Sequence, residues 1–492
     1  MKNMRKSSKY ILGVLGILTI LIPVILSFKN FFDVDSSVIL SEMERIADGY
    51  IPYKTMHLNY PPLWFYMMVG LKNLFNVPYG CYAFYLVVHY IFSIGCAWLV
   101  YAISKEFGAK KWTSLFAAWM MLVISQWMYG DRVLFEIPSI FFGLLASFLA
   151  LKYRDRSSVL FLIVGFISSL PFLVKQFGAG YIVLVAYLVI AFCENNRWQK
   201  CIWYVLGASL PIITCILIFG NDFIQSVLFN GYGGEEVRAI AGDTSNALQR
   251  IVGGAVYYCI RIPIIPLSIV FCPLFISDNK WKELLFCLFG FGGFMLQMAF
   301  IMFVAHKFTP EHYHYLLYVL PFSSILSALI LSMSGSRLFR ILSYATVGYI
   351  CLYSLYKIAR YCIPGYLSDK LEQQYEMADK VKAAIKDGKT VWIVDLDLEY
   401  LYYLCNLKTG DMKDFAYSTA IFEVTPAKAE SIMKKVDYVL HFDTQGEPPW
   451  WHSYYVKEVQ DYIYSHPMQV VDEKENIVVH LMKENLTDAD NR

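Results

Sequence analysis

Long apolar runs recur along this chain, separated by short linkers that are alternately basic and non-basic. Runs of roughly 17 to 25 residues match the thickness of a bilayer's hydrocarbon core, and this pattern leaves few folds open. Such runs fall at about 10–28, 80–103, 113–129, 137–151, 157–174, 176–193, 201–219, 253–276, 284–305, 315–333 and 340–356, some slightly short of a full crossing. That makes about eleven expected transmembrane helices. With 57% hydrophobic and only 17% charged residues, the chain has too few polar side chains to coat a soluble globule of 492 residues.

Charge placement orients the bundle. Lys2, Arg5, Lys6 and Lys9 precede the first run, and basic clusters recur after alternate spans at Lys105/Lys110/Lys111, Lys152/Arg154/Arg156, Arg197/Lys200, Lys280/Lys282 and Arg337/Arg340. Lysine and arginine are retained on the cytoplasmic side, so a cytoplasmic N-terminus and an external C-terminus are expected. The first run has signal-peptide polarity but no small-residue cleavage site and continues into F-K-N-F-F-D, which reads as an uncleaved first span. A net charge of +2 gives no basis for nucleic-acid binding, and membrane lipids and extracytoplasmic molecules are the expected partners. Most of the eleven cysteines lie inside apolar runs without a C-x-x-C pair, which suggests packing residues rather than disulfides or zinc ligands.

From about 364 the pattern changes. A polar helical stretch, K-L-E-Q-Q-Y-E-M-A-D-K-V-K-A-A-I-K, is followed by short β-rich runs (V-W-I-V-D, D-Y-V-L-H-F, M-Q-V-V-D and N-I-V-V-H-L) and by the helix-like E-Y-L-Y-Y-L. Residues 364–492 are therefore expected to form an extracytoplasmic α/β domain with a small, partly parallel sheet, and 1–363 the membrane domain. No G-x-G-x-x-G or P-loop accompanies the strands. The longest irregular external stretch of the membrane half is 220–252, around G-Y-G-G-E-E-V-R.

The first external loop, 29–79, carries the functional signal. It reads D-V-D-S-S-V-I-L-S-E-M-E-R-I-A-D-G-Y-I-P-Y and runs on to N-Y-P-P-L-W, with Asp35 fourteen residues before Gly49, then Tyr53 and Pro61-Pro62-Leu63. This resembles the first external loop of the GT-C glycosyltransferases related to protein O-mannosyltransferases and lipid A aminoarabinose transferases. The resemblance covers about 1–330 in order and spacing. It implies an integral-membrane transferase that takes a sugar, hexose or pentose, from a polyprenyl-phosphate donor and passes it with inversion to an extracytoplasmic glycan, lipid or protein. It places the catalytic base at Asp35, with Asp33 as the local rival. The residue after Asp35 is Ser36 rather than the usual acid, which weighs against a metal-assisted variant. No cofactor is firmly implied, and a divalent metal stays open.

Such a transfer needs a base, cations for the departing phosphate and a greasy groove for the prenyl tail. Glu136, in G-D-R-V-L-F-E-I-P-S, stands where relatives place a second acid, although Asp131, Arg132 and Glu136 could equally decorate a short loop. Lys175-Gln176 lies in a hairpin between two apolar runs, where a lysine is costly unless paired or facing a polar cavity; lipid-phosphate or sugar contact is weighed there against snorkelling. Arg261 sits within the eighth span, with phosphate binding and structural pairing evenly matched. The stretch H-K-F-T-P-E-H-Y-H-Y-L-L-Y-V-L-P resembles the superfamily's H-Y-x-x-x-x-x-P segment and offers Lys307, His312 and Tyr313 for phosphate or sugar. His312 and His314 are two apart and face apart on an α-helix, so no metal site is read there. Glu42 and Glu44 read as the wet face of an amphipathic helix. The segment 61–75 reads as an interfacial helix flooring the site, and the aromatics Tyr50, Trp64, Phe65 and Tyr66 as interfacial anchors more than sugar platforms.

Two readings from other classes compete. A carrier or flippase of polyprenyl-linked glycans would also set cations within the membrane, but it favours broken helices in two matching halves, and this sequence shows one asymmetric acidic loop instead. A non-catalytic scaffold presenting the C-terminal domain does not need polar residues at the outer ends of so many spans.

Overall fold

The structure is a computed structural model that describes residues 2–28, 32–56, 58–128, 132–229, 280–305, 310–333, 345, 348–349, 351–356, 359, 368–409, 431, 433–443, 457–474 and 476–482. Nine helices lead the described chain: α1 (Lys2–Ser27), α2 (Val34–Ala47), α3 (Leu63–Leu74), α4 (Tyr82–Glu106), α5 (Lys111–Trp127), α6 (Glu136–Lys152), α7 (Leu160–Val174), α8 (Gly180–Phe192) and α9 (Arg197–Ile224). Trp281–Ala305, a 3-10 segment at Pro310–Tyr318 and Leu320–Met333 complete the described bundle. Two helices, Tyr82–Glu106 and Arg197–Val227, are long and apolar enough to cross a membrane unaided, and Gly16–Ser27, Leu160–Val174, Gln176–Phe192 and Leu320–Ser332 are apolar but shorter. The expected span at 253–276 lies outside the described residues, as do eight of the seventeen residues of 340–356 and the 363/364 boundary.

Helix packing uses small residues, as expected where lipid supplies no hydrophobic drive between helices. The backbones of α7 and α9 meet at Gly165 and Gly207: a Cβ at either would collide with the main-chain oxygen of Tyr204 or Leu162. The outer faces of α4 and α9 are apolar and open, with Ile91, Ile94, Ile202, Leu210 and Leu217 exposed and Leu217 79% accessible. Exposed apolar faces of this kind suit contact with lipid tails, in keeping with a polytopic membrane bundle.

Basic residues gather at the bundle end opposite Glu136. There Lys105 donates to the Ala109 carbonyl (3.0 Å), Lys280 to the Phe107 carbonyl (2.6 Å), Lys200 to the Arg154 carbonyl and Arg197 to the Cys193 carbonyl (2.9 Å). These cations satisfy carbonyls left over where α4, α6 and α8 end.

Beyond the bundle, strands β1 (Val391–Ile393), β2 (Tyr438–Phe442), β3 (Met468–Asp472) and β4 (Ile477–Leu481) form one sheet in the order β1-β2-β4-β3, with β1 parallel to β2 and the other pairs antiparallel. Helices Ser368–Ala384, Tyr400–Cys405 and Lys457–Tyr464 accompany it. The buried face of this sheet, α2, α3 and the start of α4 share one hydrophobic core, so the first loop lies between the bundle and the C-terminal unit.

That placement corrects two expectations. Glu42 and Glu44 are not a wet face: both are buried, Glu42 paired with Arg45 at 3.0 Å and Glu44 with Lys72, while the Tyr85 hydroxyl donates to Glu44 at 3.0 Å. The Tyr400–Cys405 helix of the C-terminal unit packs on α2 where that surface would otherwise meet water, so the acids survive only with partners. Trp64 and Phe65 are likewise fully buried, Trp64 against Phe92 and Phe65 against Phe135, and neither anchors in lipid nor offers a ring to a sugar; Tyr66 is exposed. The segment 61–75 is helical, as α3. Of the 220–252 stretch, the described part is helical, with a kink at Gly220 (φ 67°) followed by a π turn at Gln225–Phe229, and the remainder lies outside the described residues.

Candidate active site

Three chain segments bring charged side chains together at one end of the bundle. The first is the start of α2. Asp33 caps it, accepting from the Ser36 N–H at 2.9 Å through Oδ1, and its Oδ2 pairs with Arg132. Burial by itself would raise the Asp33 carboxyl, but the Arg132 guanidinium and the Ser36 bonds outweigh it and hold the carboxyl below its ordinary value. Asp33 is thus engaged through both oxygens.

Asp35 stands two residues further on and makes no hydrogen bond or ion pair among the described residues. Its side chain is exposed, yet protein groups crowd it from several elements, so it lines a crevice. Burial, then repulsion by Asp33 and Glu136, work against the attraction of Lys175 and Arg132 and push its carboxyl from the ordinary 3.8 up to about 7.

The second segment is the start of α6, where Glu136 occupies the first helical position and gains from the helix dipole. Glu136 Oε1 pairs with Lys175 and lies 3.6 Å from His314 Nε2, while Oε2 is buried without a hydrogen-bond partner among the described residues. The third is the α7–α8 hairpin. After Pro171 the helix ends, and Lys175 adopts an extended conformation (φ −151°, ψ 136°) that turns its ammonium toward Glu136. The turn closes tightly: the Gly178 N–H donates to the Lys175 carbonyl at 2.8 Å, and a Cβ at Gly178 would collide with the Pro171 carbonyl. Gln176 donates to the Asn59 carbonyl at 2.5 Å and ties the hairpin to the first loop. Tyr53 holds a left-handed conformation (φ 65°) in that loop, with its hydroxyl on the Tyr60 carbonyl at 2.5 Å and its ring against Phe219 and Phe223. It braces the loop on the kinked end of α9.

Of the residues picked from sequence, Asp33, Asp35, Glu136 and Lys175 come together, and Gln176 supports them. Arg261 and Lys307 lie outside the described residues. His312 and Tyr313 fall in the Pro310–Tyr318 segment, where only their backbone is described. Sequence reading gave no role to Arg132, which it grouped with Glu136 in a loop that could equally be decorative, and missed His314 and Tyr315, whose ring centroid lies 4.5 Å from the Lys175 ammonium. A signal for the latter existed: Tyr315 and Tyr318 are three apart, the repeat of a 3-10 helix rather than an α-helix. Among the described residues no group of three or more His, Cys, Asp or Glu side chains comes together as a metal site.

A helical bundle, a helix-bearing first loop after the first long helix and a C-terminal mixed sheet make up this fold, and solved structures share it. In particular, the chain matches the structure of ArnT from Cupriavidus metallidurans bound to undecaprenyl phosphate, with a TM-score of 0.60 and 12% identity over 96% of this chain and 98% of that one. The apo structure of the same protein matches with a TM-score of 0.57 and 11% identity over 97% and 98%. At such identities the likeness is one of fold. No family model and no curated protein matches the sequence.

Proposed function

We propose that this protein transfers a sugar from a polyprenyl-phosphate carrier to an extracytoplasmic acceptor, with inversion. One observation carries the reading: within a cluster whose other acids are bound to cations, Asp35 keeps a water-accessible carboxylate with no partner among the described residues. A fold shared along nearly its whole length with a protein solved with undecaprenyl phosphate supports the donor class.

In the reaction the acceptor hydroxyl oxygen attacks the anomeric carbon on the face opposite the phosphate. The bond from that carbon to the phosphate oxygen breaks, its electron pair leaves with the polyprenyl phosphate, and the hydroxyl proton passes to Asp35. A single displacement inverts the anomeric centre. A base titrating near neutral pH combines a useful ionised fraction with the driving force to take a proton. Lys175 meets the charge growing on the phosphate, its ammonium already oriented by Glu136 and Tyr315. Glu136 is assigned to accept from a donor-sugar hydroxyl through Oε2, which has no hydrogen-bond partner among the described residues. Arg261, Lys307, His312 and Tyr313 are assigned to the lipid-phosphate and sugar contacts, with 1–363 as the transferase domain and 364–492 as an extracytoplasmic α/β domain. With Asp33 committed to Arg132, the described acids fall short of a divalent-ion ligand set.

The test is a coupled assay of the reconstituted protein with radiolabelled polyprenyl-phosphate sugars and cell-envelope acceptors. Wild type transfers label, and Asp35→Asn, folded and membrane-inserted, transfers about 10² to 10⁴ times more slowly. Near-normal turnover by Asp35→Asn removes it as the base.

A further inference from the structure

The helix that carries Asp35 is gripped at both ends by the C-terminal unit. Just ahead of α2, Gln374 of the Ser368–Ala384 helix engages the main chain of Phe32 reciprocally, accepting from its N–H at 2.8 Å and donating to its carbonyl at 2.8 Å. A side-chain amide used in this way satisfies a residue's donor and acceptor together, so it fixes both the position and the tilt of the peptide segment. The Phe32 ring is wedged against Tyr82 (4.9 Å) and Tyr403 (5.6 Å). Asp33 is the next residue. At the far end of α2 the Arg45 guanidinium lies 4.5 Å from the Tyr402 ring centroid, and the Ser41 hydroxyl reaches the Glu399 carbonyl at 3.4 Å.

These contacts join the start of the catalytic loop to a unit 342 residues away in sequence, and they do so through a half-buried polar residue rather than through core packing alone. We infer that the C-terminal unit holds α2, and Asp35 with it, in register with the Glu136–Lys175 pair, and that Gln374 is the positioning residue at the Asp35 end. Its catalytic consequence rests on the reading of Asp35 as base, whereas the grip itself does not.

The test uses the full chain in lipid nanodiscs, as wild type, Gln374→Leu and Gln374→Glu. Neither change opens the core, because Gln374 is only half-buried, and glutamate keeps the acceptor for the Phe32 N–H while losing the donor to its carbonyl. Three readouts are taken: amide hydrogen exchange in 32–47, kcat and donor KM for transfer, and the pH dependence of kcat. The charged groups facing Asp35 are Asp33 beside it, Arg132 ahead of α6, Glu136 on α6 and Lys175 after α7, so a displaced α2 changes the field at Asp35 and shifts the acid limb. Expected for Gln374→Leu are faster exchange in 32–47 with the β2–β4 core still protected, kcat lower by about 10- to 100-fold, donor KM changed by less than about twofold, and a moved acid limb; Gln374→Glu falls between it and wild type. Unchanged exchange in 32–47 overturns the grip. Faster exchange with unaltered kcat and pH profile in both variants overturns the positioning role and leaves only packing. If wild type itself transfers nothing while exchange still loosens, the transferase reading fails and the grip stands; if Asp35→Asn turns over normally while Gln374→Leu loosens 32–47, the base assignment alone fails, so the failures are distinguishable.

Discussion

The two halves of α2 solve the same electrostatic problem in opposite ways. Toward its C-terminal end, Glu42 has Arg45, and Glu44 has Lys72 and the Tyr85 hydroxyl. Toward its N-terminal end, Asp33 has Arg132, Glu136 across the crevice has Lys175, and Asp35 has neither cation nor donor among the described residues. Buried acids with partners specify how the helix docks. The acid left without one stands at the crevice, where it can exchange a proton with something that enters. Fourteen residues of one helix thus combine a fastening half and a reactive half.

The contrast breaks most visibly at the aspartates. Asp33→Asn keeps the helix cap, since an amide oxygen still accepts from Ser36, and loses only the pairing to Arg132; it is expected to retain at least about tenfold more transfer than Asp35→Asn, in which the basic oxygen is gone. Transfer rates of the two variants measured side by side, with melting in detergent as the control for folding, decide between them. A dead Asp33→Asn beside an active Asp35→Asn would exchange the two roles.

Arg45→Met should act on stability. It removes the cation beside a buried Glu42 and is expected to cost up to about 3–5 kcal/mol well above pH 7, seen as a lower melting midpoint. Burial already pushes the Glu42 carboxyl up to about 7 in spite of Arg45. Its folded value therefore lies above its unfolded one, and the destabilisation is smallest at low pH, where Glu42 is neutral, and grows as pH rises through the folded value. Tyr85→Phe removes one hydrogen bond to a buried carboxylate and should cost about 1.5–3 kcal/mol with kcat unchanged. A fall in kcat without a fall in stability would place the fastening half in the chemistry.

The pH dependence gives the finest comparison. If Asp35 is the base, kcat should fall about tenfold per pH unit below about 7 and level off above it. The same raised carboxyl carries a stability consequence with a definite sign. The folded protein holds this proton more tightly than the unfolded chain does, so stability is greatest below the unfolded value of about 3.9 and declines as pH rises toward 7. Asp35→Asn removes that decline and should melt slightly higher than wild type at pH 8. Equal melting across pH in the two proteins would mean that crevice water already offsets the crowding.

Much of this arrangement is legible in the chain. The alternating basic linkers anticipated which ends of α4, α6, α8 and α9 lie together, because a cation near a helix end finds carbonyls whichever way the bundle packs. The polar tail announced a mixed sheet through short β-branched runs. Asp35 and Glu136 stood out through the resemblance of their stretches to known transferase loops, and Lys175 because a lysine between two apolar runs is costly unless paired. Glu42 and Glu44 misled because periodicity shows which face of a helix is polar, but not whether that face meets water or a helix contributed from the far end of the chain.

The sequence by itself determined a membrane bundle, its basic end, a mixed sheet after it and a first loop rich in acids, since length, hydropathy and charge act locally along the chain. Only the tertiary structure decided which acid is left over. Asp33 and Asp35 are two residues apart and chemically identical, and what separates them is Arg132, 99 positions away, pairing with the first and not the second. That choice depends on where α6 begins relative to α2, and distance in space, not order in the chain, sets the energy between charges.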